Sequence, residues 1–208
     1  MKKFKNIVLL TMAGLILTPL VSVTNAQATV EDEFPLEVSR TTQTQKNYNS
    51  TNISTSDITQ NEHFANNTIA YYITPGIASG VQKDIRAAAL EWNINTKVNL
   101  YETTNKSQAA IVFTNKGTDS SENGLTSNTI NRSKGYKEVV SSSIDLSKNT
   151  IPQNSLSVMG RRVAEHELGH ALGLKDTKTD QTGSIMWYRT PQTDITAKDI
   201  AAINLYYK

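Results

Sequence analysis

Apolar and polar positions alternate with different periods along this chain, and each change of period marks an element. Residues 69–73 form a short apolar run closed by Pro75-Gly76, the pattern of a strand ended by a turn. Val81, Ile85, Ala88, Ala89 and Trp92 recur at helical spacing, which predicts a helix opening at Ser79 or Gly80 with Trp92 in the core. Residues 98–102 alternate like a half-buried strand, and residues 109–113 are continuously apolar, like a central one. Residues 124–137 are rich in Gly, Ser and Asn and give only a weak strand signal, whereas residues 138–146 read as a strand. A second helix is predicted through residues 163–172, capped by Ser155 or Ser157, with Ala164, Leu168, Ala171 and Leu172 as its core stripe. Residues 194–200 cap and open a last helix, with Ile200, Ile203, Leu205 and Tyr206 as its apolar contacts.

Before the first strand the pattern fails. Residues 1–5 carry three lysines and no acid, residues 7–23 are apolar and uncharged, and Ala26-Gln27-Ala28 is a small-x-small site. Residues 1–28 therefore read as a secretory signal peptide and the product as secreted and extracellular. Pro19 and the small-residue exit argue against a retained anchor, so no stable membrane insertion is expected after cleavage. Residues 29–67 are dominated by Thr, Ser, Asn and Gln and read as a polar propeptide or flexible leader ahead of a domain over 68–208. His63 falls in that leader; a lone histidine there is expected to be solvated, and covering the metal of a zymogen is its alternative role.

Composition narrows the classes. A chain of 208 residues suits one domain plus processing segments. It has no cysteine, so a secreted form has no disulfides and is held by its core and any bound metal. The formal net charge is +2, three of the lysines lie in the first five residues, and no basic stripe with interleaved aromatics appears. Nucleic acid is not an expected partner.

The chemistry concentrates in residues 166–176, His-Glu-Leu-Gly-His-Ala-Leu-Gly-Leu-Lys-Asp. On a helix, His166 and His170 share one face a turn apart, where both reach one metal ion. Glu167 stands beside the first ligand and can face a water rather than the metal. Gly173 is placed to end the helix in the left-handed region, and the turn can return Asp176 as a third ligand. Two histidines and a carboxylate leave a position open, the arrangement of catalytic zinc. Only three histidines are present and no Glu follows Glu167, so Asp176 is the expected third ligand and Asp180 the runner-up.

HExxHxxGxxD resembles the zinc-binding consensus of the metzincin metalloproteases, and the terminal Asp is similar to the small secreted snapalysin-type members. Met186, in Ser184-Ile185-Met186-Trp187-Tyr188, resembles the methionine of the metzincin Met-turn. The order of elements over residues 69–208 resembles the matrixin catalytic domain. The resemblance implies an α+β fold: a twisted mixed sheet of about five strands, a long N-terminal helix, an active-site helix, a Met-turn and a C-terminal helix. It implies an edge strand near residues 124–129 lining the substrate cleft, able to pair with a peptide by strand addition. It further implies a zinc endopeptidase acting as a monomer on protein or peptide substrates. Glu167 would be the general base and Tyr188 an oxyanion stabiliser, as in branches with Ser-x-Met-x-Tyr. The cysteine latch of many matrixin-type zymogens is ruled out by composition. Ca²⁺ is a possible second cation, with Asp119, Glu122 and Asp145 as candidates although no D-x-D-x-D loop occurs. The alternative function is a catalytically weak metal-binding or adhesion module on the same fold.

Overall fold

The computed structural model describes residues 53–116, 122–179, 183–189 and 194–208. The expected signal peptide, most of the expected leader, Asp119 and Asp180 lie outside them. Six strands and three α-helices are formed among the described residues. In chain order they are β1 (Glu62–His63), β2 (Thr68–Ile73), α1 (Ser79–Asn95), β3 (Asn99–Glu102), β4 (Ile111–Thr114), β5 (Gly124–Asn131), β6 (Lys137–Leu146), α2 (Val158–Ala171) and α3 (Ala197–Tyr206). No helix among these residues is long and apolar enough to cross a membrane.

The sheet is mixed. β3, β2, β4 and β6 run parallel in that spatial order, with Tyr71 opposite Ile111 and Phe113 opposite Ile144. β5 runs antiparallel along the other side of β6, from Gly124 opposite Leu146 to Asn131 opposite Glu138, with an irregularity between Thr129 and Ile130. β4 and the two-residue β1 thus share one edge of β6, and β5 forms the end of the sheet. β4 is central and fully buried at Ile111 and Phe113, in line with its continuous apolar run. α1 and α2 pack on each other and against the sheet. Trp92 is fully buried between them and donates its indole N–H to the Glu165 carbonyl at 3.1 Å. Asp84 of α1 accepts the Ser157 backbone N–H at 2.8 Å, tying α1 to the start of α2. Burial pushes the Asp84 carboxyl up to about 6, against the pull of the Ser157 hydrogen bonds.

Several expectations are corrected. The folded part does not begin at residue 68: Ile58 is fully buried, Phe64 is 6% exposed and β1 pairs with β6, so residues 53–67 pack as part of the domain. The sheet has six strands rather than about five, because β1 comes from that same segment. Two apolar residues suffice to seat such a strap, and an average over a polar window hides them. At the C-terminus, Thr196, within the expected capping stretch, caps α3 in a reciprocal capping box with Asp199. Leu205 points to solvent at 62% exposure, while Tyr207 takes the buried place. His63 is neither solvated nor placed over the metal ligands. Its ring stacks on Tyr136 at 4.2 Å and on Tyr206 at 5.1 Å, which seals the strap against the end of α3.

Candidate metal centre and cleft

α2 carries the histidines because its sequence stops where it does. Ser157 accepts the Gly160 N–H at 2.8 Å and starts the helix. Gly173 ends it at φ +107°, where a side chain would also run into the Glu62 carbonyl. The reversed chain brings Leu174 under His170, whose Nδ1 donates to the Leu174 carbonyl at 3.0 Å. His166 Nδ1 donates to the Ile185 carbonyl at 2.8 Å. A carbonyl only accepts, so both Nδ1 atoms carry the proton and both Nε2 atoms present lone pairs. Those two Nε2 atoms face each other at 3.1 Å, and Asp176 Oδ1 lies 3.3 and 3.4 Å from them. His166, His170 and Asp176 form one group of potential metal ligands, and the described residues hold no other.

Opposed lone pairs beside a carboxylate suit a cation between them. Donors on a tetrahedron with zinc bonds of about 2.0–2.1 Å stand roughly 3.3–3.4 Å apart, so the set fits zinc without rearrangement. The charges agree. Burial alone lowers the pKa of His170, but the Asp176 hydrogen bond and the Glu167 charge outweigh it and raise it. Burial alone raises that of Asp176, but the two imidazoles hold it well below the usual carboxylate range.

Asp176 is fixed from both sides by the strap. Lys175 N–H donates to the Ile58 carbonyl at 2.9 Å, and Thr59 bridges Leu174. The Thr177 hydroxyl donates to Asp57 at 2.9 Å, and Asp57 is paired with Lys198 of α3 at 2.7 Å. On the far side, Thr177 N–H donates to the Met186 carbonyl at 2.9 Å. Met186 is fully buried, with its sulfur against Gly169 between the two histidines. Asp199 accepts the Ile185 N–H at 2.9 Å and the Ser184 hydroxyl, so α3 holds the very residue whose carbonyl orients His166. Burial pushes the Asp199 carboxyl up despite these bonds.

Of the two glutamates flanking His166, one faces the cleft. Glu165 is fully buried, pairs with Arg161 at 2.8 Å and is pushed by burial up to about 8. Glu167 lines a cavity of about 620 Å³ together with the three candidate ligands, β5 and Tyr188. Its Oε2 accepts the Thr126 hydroxyl at 2.6 Å. A Cβ on Gly124 would lie 2.6 Å from Glu167 Oε1, so only glycine leaves room for that carboxylate. Tyr188 lines the same cavity, 39% exposed, with Lys178 and Arg189 over its ring at 5.6 and 5.1 Å. Of the calcium candidates, Asp145 is taken up by the Thr114 hydroxyl and the Lys116 N–H, and Glu122 lines the cleft.

A mixed α/β domain here gathers two imidazoles and a carboxylate that could hold one metal ion in a cleft. The family model described as Matrixin matches residues 63–208, and the chain belongs to the matrixin family of zinc metalloproteases. No curated protein sequence matches it. Thr126, Asn128, Glu62, Asp57 and Asp199 all support the site and escape motif reading. Only the two-residue spacing of Gly124, Thr126 and Asn128, which puts them on one face of β5, hints at two of them.

Proposed function

We propose that this protein is a secreted zinc endopeptidase, with His166, His170 and Asp176 as zinc ligands and Glu167 as general base. The observation that carries the reading is the opposed Nε2 pair with Asp176 Oδ1, set beside a Glu167 held by Thr126 at the edge of an open cleft. Zinc supplies a Lewis acid that polarises a peptide carbonyl and acidifies water. Glu167 takes the proton from the attacking water and passes it to the leaving amine nitrogen. Thr126 fixes the carboxylate in one rotamer and leaves Oε1 for the water. Met186 is the Met-turn residue, an apolar floor beneath the ligands. Tyr188 stands on the cleft wall, where its hydroxyl supports the oxyanion. β5, with no strand on its outer side among the described residues, takes the substrate by strand addition. The support for catalysis over a metal-binding or adhesion role is the held general base, which a binder does not need.

The test uses the full chain on a casein film and on a mixed protein substrate. Cleavage is expected, abolished by a chelator and restored by zinc. Glu167→Ala lowers the rate by about 10²–10⁴-fold while zinc per chain, read by elemental analysis, is unchanged. Retained activity in Glu167→Ala removes it from the base role.

A further inference from the structure

The cleft has a polar end that the reaction above does not use. Glu62 lines it and is only 8% exposed. Its place is rigid: β1 pairs with β6, and the Gly173 turn lies directly on the Glu62 carbonyl. Its one hydrogen-bond donor is neutral, the Asn128 amide, which reaches Glu62 Oε1 at 3.1 Å. The same amide donates to the His170 carbonyl at 2.9 Å, which sets Glu62 beside the backbone of the second candidate ligand. Both amide hydrogens of Asn128 are thus committed, and its Oδ1 is buried without a partner. No lysine, arginine or histidine among the described residues pairs with Glu62.

A nearly buried carboxylate held by one neutral amide is under-compensated, and removing it from water costs free energy that a cation would offset. This end of the cleft therefore offers acceptors and negative charge. Elsewhere on the cleft lining, Tyr188 has Arg189 over its ring. We propose that Glu62 is the specificity-determining residue of a subsite for a cationic group on a peptide substrate, the side chain of lysine or arginine. This deepens the peptidase reading and rests on it. A peptide added antiparallel to β5 runs from Asn128 toward Gly124, so the cation precedes the scissile bond in the chain. The α-ammonium of a short peptide has the same chemistry, and acetylation separates the two sources.

The experiment compares two internally quenched peptides, identical except for Lys or Ala at successive positions before the scissile bond, each with free and acetylated N-termini. The wild-type enzyme is expected to cleave the best-placed Lys peptide about tenfold or more faster in kcat/KM than its Ala counterpart, a ratio that falls with added salt. In Glu62→Gln, which keeps the shape and an acceptor for the Asn128 amide, the Lys-to-Ala ratio falls toward one. Binding of the same peptides to Glu167→Ala gives the ratio in Kd without turnover and is expected to move in parallel. Wild-type cleavage with an unchanged ratio in Glu62→Gln overturns the subsite alone. Loss of the preference on acetylation overturns the side-chain assignment in favour of the terminal ammonium. Failure of the wild-type enzyme to cleave either peptide overturns the peptidase reading and the subsite together.

Discussion

Residues 158–176 and residues 53–67 build the same site and could hardly differ more in sequence. The first stretch supplies the two imidazoles, the proposed general base and the carboxylate from one helix and its turn, so its chemistry is local and fixed by spacing. The second is polar and contributes no proposed ligand. Yet Asp57, Ile58 and Thr59 hold the residues on either side of Asp176, and Glu62 and His63 lock β1 to the sheet and to α3. A metal site needs donors, and it also needs backbone that keeps them about 3.3 Å apart when no metal pulls them together. The helix does the first and the strap the second. β5 stands between them, with Thr126 serving Glu167 and Asn128 serving both His170 and Glu62.

The sharpest way to break this comparison is to empty the strap's anchor. Ile58 is fully buried, so Ile58→Ala is expected to cost about 2–4 kcal/mol of stability, read by urea unfolding. A cost below about 0.5 kcal/mol would make the strap a surface ornament and restore the idea of a loose leader reaching to residue 67. A smaller effect is expected where β5 meets the helix. Thr126→Val removes the hydroxyl that Glu167 accepts and is expected to lower kcat about tenfold with little change in KM. Thr126→Ser should recover most of that loss, and a valine variant with wild-type kcat would mean that Glu167 needs no positioning.

The smallest effect sharpens the comparison on the helix side. Asp84, fully buried against the start of α2, has its carboxyl raised from 3.8 to about 6. A raised carboxyl favours the protonated fold, so this contribution is fully present below about pH 4 and is lost as pH rises through about 6. Asp84→Asn keeps an acceptor for the Ser157 N–H and is expected to flatten the Tm-against-pH curve between pH 4 and 7, with a Tm at pH 7 equal to or above that of the wild type. A steeper curve would mean that the Asp84 charge stabilises α2.

The sequence made legible whatever rests on period or on fixed spacing. The helical stripe of α1, the continuous run of β4 and the alternation near β3 all find their elements, because each buries its face within its own segment. His166, His170 and Asp176 come together as their spacing demands, since a helix and one glycine turn suffice. What stayed hidden depends on partners far along the chain. Residues 53–67 look disordered because Ile58 and Phe64 are their only large buried apolar side chains, and several of their hydrogen bonds go to residues more than a hundred positions away. Thr126 and Asn128 look like ordinary polar strand residues until α2 crosses their face. The capping stretch of the last helix is legible, but the support that the fully buried Asp199 gives to Thr196 and Ser184 at once is not, since a window sees only another acid.

Asp176, returned by the Gly173 turn and gripped by the strap, is the proposed third ligand that completes the zinc site. Zinc per chain in Asp176→Ala, measured by elemental analysis after dialysis against a weak chelator, tests it most directly. Two imidazoles alone hold catalytic zinc poorly, so the account predicts that the variant folds, loses its zinc and loses activity together, while Asp176→His keeps the metal. Full zinc occupancy in Asp176→Ala under the conditions in which the wild-type enzyme is saturated would contradict it.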